Sequence, residues 1–254
     1  MSFDTDLTAC AAMVERADPW RFRATMAAPL AARHLLFPLY AFNVEVARAP
    51  WVTQEPMIAE MRLQWWRDIC EEIAQDRPVR RHEVATPLAR AITPADALLL
   101  DELVTARRWD VYQDPFEDET HFAQYIDRTA GHLMVIAARR LGEVDEAVVR
   151  DAAYAAGIAA WFSAIPTLEE KGRIPLLDGT AKAVAAMADT ALQRLAKART
   201  SRHKISRSAA PALLPAAMAG PVLRAARRDP GRVAAGQLPD PRQHFALRAL
   251  FTRW

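Results

Sequence analysis

The sequence predicts an all-α fold, and three observations carry that reading. Glycine is scarce, 8 in 254 residues, so the tight turns of a sheet protein have little to build from. Strong helix formers, above all Ala, Leu, Arg and Glu, fill the chain. Apolar residues recur at three- and four-residue spacing rather than in alternation. Hydrophobic residues make up 52% of the chain, enough for a sizeable core. No internal repeat or low-complexity linker divides it. We therefore expect one domain over residues 1–254, of eight or more helices, with residues 194–254 a basic helical part of the same domain.

The elements follow in order. Residues 5–17 read as a short helix. Asp18-Pro19 opens the next, Asp18 as N-cap and Pro19 at the first helical position. Pro29 and Pro38 mark a break before, and a kink within, the helix that follows. Residues 56–75 form a helix whose buried stripe is Ile58, Met61, Trp65, Ile69 and Ile73. A connector spans 77–87. Asp96–Trp109 is helical, with Leu98, Leu99 and Val104 inside. Asp110, Asp114 and Asp118 are spaced four apart, like metal ligands. Asp114-Pro115-Phe116-Glu117 reads better as a helix start, with Asp114 as N-cap and Pro115 at the first helical position. The helix from 116 to 141 buries Phe122, Tyr125, Ile126, Leu133, Ile136 and Leu141 and ends at Gly142. A helix over 145–164 carries Gly157 and small Ala side chains that permit close approach. Residues 171–176 form a loop. A basic amphipathic helix covers 181–203, with Val184, Met187, Ala191, Leu192 and Leu195 inside. The proline-rich remainder reads as shorter helices and loops.

Composition bounds the setting. Two cysteines, Cys10 and Cys70, cannot build a disulfide framework, and a reducing compartment is the simpler expectation. The N-terminus, MSFDTDLTAC, lacks the apolar stretch of a secretory signal. No apolar run is long enough to span a bilayer. Net charge is +2. Yet from Arg194 to Trp254 thirteen Lys/Arg face only Asp229 and Asp240, while the first 193 residues carry twenty basic and twenty-nine acidic groups. A basic final third suits an anionic surface, or is simply a solvated helix face.

Several chemistries are excluded. Closely spaced glycines of a phosphate loop or dinucleotide fold are missing, as is a G-x-S-x-G elbow. The six histidines (34, 82, 121, 132, 203, 244) show no zinc spacing. Basic residues are not interleaved with stacking aromatics, so nucleic acid is not an expected partner.

One set of motifs is specific in its order. Arg33, Leu39-Tyr40-Ala41-Phe42, Arg62-Leu63 and Trp66-Arg67-Asp68 come first. His82-x-Val84, Pro87-Leu88-Ala89, Asp110, Tyr125…Ala130-Gly131, Gly157 and Gly172-Arg173-x-Pro175 follow. Over Asp18 to about Pro175 this resembles the squalene/phytoene synthase family. The resemblance implies an all-α isoprenoid-synthase fold around a deep apolar cavity. Active members join two prenyl diphosphates head to head, with magnesium on facing Asp-rich helices neutralising the departing diphosphate.

The chain departs from that pattern at both carboxylate motifs. No aspartate lies between Asp18 and Asp68, and the stretch Asn43–Trp51 offers only Glu45. Ala47 and Trp51 stand near where ligands are needed, and Val44 replaces the arginine that normally precedes the motif. In the second stretch, Ala160–Arg173, Pro166 is expected to break the helix, and the adjacent Glu169 and Glu170 point in different directions. Tyr40-Ala41-Phe42-Asn43-x-Glu45-x-Ala47-Arg48 and Gln64-Trp65-Trp66-Arg67-Asp68 resemble the branch that contains mitochondrial respiratory complex I assembly factors.

Three functions are therefore weighed. The first is a non-catalytic relative that binds a lipid or prenyl ligand, or assists assembly of a membrane respiratory complex through its subunits, with no cofactor. Tyr40, Phe42, Trp65, Tyr125 and Trp161 would shape its cavity wall, with Arg33 and Arg173 near the mouth. The second is an active prenyl-diphosphate transferase with relocated magnesium ligands, for which Asp68 and Glu72, with Glu71 beside them, are the best remaining carboxylates. The third is a helical scaffold, unrelated to prenyl chemistry, that meets an anionic surface, membrane in preference to nucleic acid, through Arg199, Arg202, Lys204, Arg207, Arg224, Arg227 and Arg228. The expected location is cytoplasmic, peripheral on the inner face of a membrane.

Overall fold

Capping chemistry punctuates the chain. In the computed structural model, which describes residues 5–53, 55–112, 114–240 and 254, helix α1 (Thr5–Ala17) gives way to α2 (Pro19–Ala27) at Asp18. The Asp18 carboxylate accepts the Arg21 amide at 3.0 Å, and Pro19 occupies the first helical position. Thr93 caps the later helix α6 (Pro94–Ala106) through a reciprocal box with Asp96. Between them run α3 (Leu30–Arg48), α4 (Pro56–Ala74) and α5 (Ala85–Ala91). Pro38 lies inside α3 without ending it.

The second half begins with a 3₁₀ turn, Arg107–Asp110, and then α7 (Glu119–Ile126). A π-helical turn, Asp127–Gly131, joins α7 to α8 (His132–Leu141). Helix α9 (Glu146–Glu170) is the longest, capped by Asp145. It is followed by α10 (Ala181–Thr200), a 3₁₀ stretch Ala210–Met218, α11 (Ala219–Arg228) and the short α12 (Gly231–Ala234). Among the described residues there is no strand, and one isolated bridge links Val144 to Ile205.

Helices pack as layers around α3 and α9. Helix α3 lies against α1, α5 and α8, and α9 against α10, α11 and the π turn. The main apolar cluster runs from Leu7 to Trp254 and takes in residues of α3, α4, α6, α8 and α9, and a small second one joins Ala24, Leu214 and Ala217. Small side chains on α9 are what allow the close approach. A methyl group added at Gly157 would lie 2.9 Å from Ala130 Cβ and 3.0 Å from Ile126 Cγ2. Gly142 ends α8 with extended backbone, φ 170°. Its missing side chain makes room for Ser206 and Ser208.

Several expectations need correction. On α4 the buried stripe is Ala59, Leu63, Trp66, Ile69, Cys70 and Ile73. Ile58 and Met61 are exposed, at 41% and 66%, and Trp65 is half-buried. Both faces of this helix are apolar, so periodicity alone could not choose the one that meets α6. Likewise Leu98 on α6 is 60% exposed and Leu100 takes the interior. Asp118, not Asp114, caps α7, accepting the His121 amide at 2.7 Å. Phe116 stays outside the helix because its ring stacks on Trp109, with centroids 4.1 Å apart. Pro166 does not break α9, which continues to Glu170 while Gly236 packs against the proline ring. Proline there removes one backbone donor, and the packed helix absorbs the loss. The connector is shorter than 77–87, since α5 starts at Ala85, and α10 stops at Thr200 before a separate 3₁₀ turn, Arg202–Lys204. The reading of residues 241–253 as helices and loops lies outside the described residues, as do Arg242, Arg248 and Arg253.

Candidate functional site

Among the cavities along α9, two share residues. One, of about 250 Å³, sits between α3, α9, the π turn and the 3₁₀ turn at Arg107–Asp110. Its α3 wall is Asn43 and Ala47, one helical turn apart, continued by Trp51 in the 3₁₀ turn that follows. Its α9 wall is Gly157, Ala160, Trp161, Ala164 and Leu168. The other cavity, about 390 Å³, is mostly apolar and is lined by Trp20, Phe162, Pro215, Met218, Val222 and Leu238, among others. The two share Arg21 and Ala160.

Polar groups gather at one end of the smaller cavity. Tyr125 donates its hydroxyl hydrogen to Asp110, with oxygen distances of 2.9 and 3.1 Å. Arg107 Nη1 donates to the Tyr125 oxygen at 2.6 Å and to Asp110 Oδ2 at 3.0 Å. Burial opposes the charge on Arg107, but Tyr125 and Asp110 outweigh it and raise its pKa. Burial also raises the Tyr125 pKa well above the usual value, with Arg107 working against it. Arg21 comes from α2, ion-paired with Asp18 and 5.5 Å from the Tyr40 ring centroid. Arg173 donates to the backbone oxygens of Asp110 and Val111 at 2.6 and 3.4 Å and lies over the Trp51 ring, beside Lys171. Its burial lowers its pKa.

The structure brings some candidate residues together and not others. Tyr125 and Trp161 line the smaller cavity, and Trp161 donates Nε1–H to the Pro175 oxygen at 3.0 Å. Tyr40 is buried behind Arg21, and Arg173 touches Trp51 and Asp110 at the rim. Phe42 is fully buried edge-on against Trp66, in the core. Trp65 packs with Trp66, His82 and Arg80 away from the cavity. Arg33 donates to the Met26 oxygen. Asp68 and Glu72 form ion pairs with Arg80 at 3.5 and 3.0 Å on α4. Sequence reasoning did not single out Arg21 or Arg107. The i,i+3 pairs Asp18/Arg21 and Arg107/Asp110 were the available signal.

The basic third is partly engaged. Arg199 and Arg202 donate to the Trp254 oxygen, Lys204 pairs with Asp145, and Arg227 with Asp189. Arg207, Arg224 and Arg228 make no ion pair among the described residues.

The squalene/phytoene synthase family model matches residues 14–176. The chain belongs to the squalene/phytoene synthase family. Its fold is that of a dehydrosqualene synthase crystallised with a ligand, at a TM-score of 0.76 and 13% identity, covering 97% of this chain and 94% of that one. Among curated proteins, it is 31% identical over 137 residues to the NADH dehydrogenase (ubiquinone) complex I assembly factor 6 homolog of Drosophila melanogaster, covering 50% of this chain and 40% of that protein. It is 25% identical over 138 residues to complex I assembly factor 6 of Homo sapiens, covering 54% and 41%. The alignments thus span less than half the length of these relatives.

Magnesium is the metal this family implies, and the cavity does not fit it. Its α3 and α9 walls carry no carboxylate, and Asp110 is committed to Tyr125 and Arg107. Among the described residues, no three His, Cys, Asp or Glu side chains are grouped to hold a metal ion.

Proposed function

We propose that this chain is a non-catalytic member of the family that keeps its cavity for a lipid or prenyl ligand and assists assembly of a membrane respiratory complex of the complex I type. One observation carries the non-catalytic half. The cavity wall here is Asn43 and Ala47 of α3 and Trp51 of the 3₁₀ turn that follows, and none of the three is an anionic ligand for a hard cation. Prenyl-diphosphate condensation needs the leaving diphosphate neutralised by carboxylate-held metal, and this donor set does not supply that. The likeness to two complex I assembly factors supports the assembly half.

For location, we propose peripheral contact with the membrane that holds the complex. No helix of the described residues is long and apolar enough to cross a membrane. Arg207, Arg224 and Arg228, with no internal ion pair, support contact with anionic headgroups, at on the order of 1 kcal/mol per residue near the surface.

Deleting the gene and resolving membrane complexes on native gels tests the assembly role. The expected result is loss of assembled NADH dehydrogenase with its subunits still made; normal assembly would refute it. Incubation with magnesium and farnesyl or geranylgeranyl diphosphate should yield no head-to-head C30 or C40 product. A product would overturn the non-catalytic reading, and Asp68→Ala and Glu72→Ala would be the first variants to try. Co-sedimentation with anionic but not neutral vesicles, lost at high salt, tests the membrane contact.

A further inference from the structure

We propose that the outer surface around Val52, Tyr112 and Ile174 is a docking face for a basic amphipathic helix of a partner polypeptide. This goes beyond the function proposed above and does not depend on it.

Arg173 assembles the face. It is buried, and it ties together three segments far apart in the sequence. Its Nη2 donates to the Asp110 and Val111 oxygens at 2.6 and 3.4 Å, and its guanidinium lies 5.3 Å from the Trp51 ring centroid. The next residue on each segment is apolar and exposed: Val52, Tyr112 and Ile174 stand 46%, 47% and 55% in solvent. Met57 and Met61, one turn apart on α4 and more exposed still, extend this surface. The Glu60–Arg108 ion pair, at 2.9 Å, holds that part of α4 to the 3₁₀ turn that carries Asp110. Of the ten large apolar side chains exposed among the described residues, seven fall between 52 and 61 or at 112, 174 and 177. Scattered singly, such side chains need no explanation; gathered on segments that touch, they mark a binding surface.

Charge selects the occupant. On the same segments Glu55, Asp114, Glu117, Glu169, Glu170 and Asp178 are exposed and make no ion pair among the described residues. Against them stand exposed Arg62 and Lys171 and the buried Arg173, while Glu60 and Arg108 neutralise each other. Asp114 is close enough to act on the Arg173 charge. A rim of this sign repels anionic headgroups, so it does not suit a membrane surface. A helix with apolar side chains at i, i+3, i+4 and i+7 would lay them on Val52, Tyr112 and Ile174 and hold its Lys and Arg over the carboxylates. A second copy of this chain could offer its basic residues 194–254. There, however, Arg199, Arg202, Lys204 and Arg227 are engaged within their own chain.

The test uses the full chain and a fluorescein-labelled peptide of Leu and Lys, with Leu at helical spacing, read by anisotropy. Saturable one-to-one binding is expected, weakened about tenfold at high salt. The same peptide with every Lys replaced by Glu, or every Leu by Ser, should not bind. Ile174→Gln, and Glu169→Lys combined with Glu170→Lys, should each weaken binding about tenfold. Leu98→Gln and Glu15→Lys, at exposed positions on other segments, should change it less than twofold. Melting curves check each variant, and the peptide series on the unaltered chain stands even if one fails to fold. Equal binding of the Glu peptide, no binding of the Lys peptide, or affinity unmoved by the face variants would overturn the proposal. A dimer that sediments without peptide and is dissociated by Ile174→Gln would overturn it in favour of a second copy. Vesicle binding abolished by Ile174→Gln would overturn it in favour of a membrane.

Discussion

Removing one oxygen from Tyr125 tests the polar centre of the site. The side chain is 3% exposed, and its hydroxyl donates to Asp110 at 2.9 Å while accepting from Arg107 at 2.6 Å. Tyr125→Phe keeps the ring and its contacts with Trp109, Phe116 and Trp161. What is lost is two hydrogen bonds to charged groups, each worth roughly 1.5–3 kcal/mol. They are not additive here, because Arg107 still holds Asp110 at 3.0 Å. The expected destabilisation is therefore about 2–4 kcal/mol, less than the sum. In a chain of this size each kcal/mol lowers the melting temperature by about 2–4 °C. Urea unfolding followed by circular dichroism measures it, and combining the change with Asp110→Asn measures the coupling, expected above about 1 kcal/mol. A loss below about 0.5 kcal/mol, or no coupling, would show that the triad is not a buried unit and would remove the argument that Asp110 is unavailable to a metal.

Three other outcomes follow from the same structure. Gly157→Ala should destabilise by about 1–2 kcal/mol net, because overpacking against Ala130 and Ile126 exceeds the roughly 1 kcal/mol gained in helix propensity; a raised melting temperature would contradict the close approach of α9 to the π turn. Leu100→Ala should cost about 2–5 kcal/mol while Leu98→Gln stays within about 0.5 kcal/mol, since the first is fully buried and the second 60% exposed; equal effects in a denaturant titration would mean that α6 is turned the other way. Burial pushes the Tyr40 hydroxyl up to about 12, against the pull of Arg21. Because the folded value is the higher one, this contribution of roughly 2–3 kcal/mol is complete below pH 10 and lost as pH climbs through about 12; Tyr40→Phe should flatten that alkaline decline in a pH series of melts, and an unchanged slope would refute the assignment.

Much of this was legible in order along the chain. Helix starts at Asp18-Pro19 and Asp145 depend on capping groups within three residues, so local chemistry suffices to find them. Ala47 and Trp51 could likewise be read as neutral from residue identity alone, whereas their place on the cavity wall beside Asn43 needed the structure. The start of α7 was missed by four residues for a non-local reason. Phe116 is held by the Trp109 ring, and that contact outcompetes the cap that Asp114 offers.

By itself the sequence determined the helical class and the family, since each depends on residue identity at short spacing. Tertiary structure alone decided which apolar face of α4 is buried and that α9 runs through Pro166. It also decided that Arg21, Arg107 and Asn43 meet in one cavity. Those outcomes depend on contacts between segments tens of residues apart. Periodicity names the faces a helix can bury, and only the packed neighbours select among them.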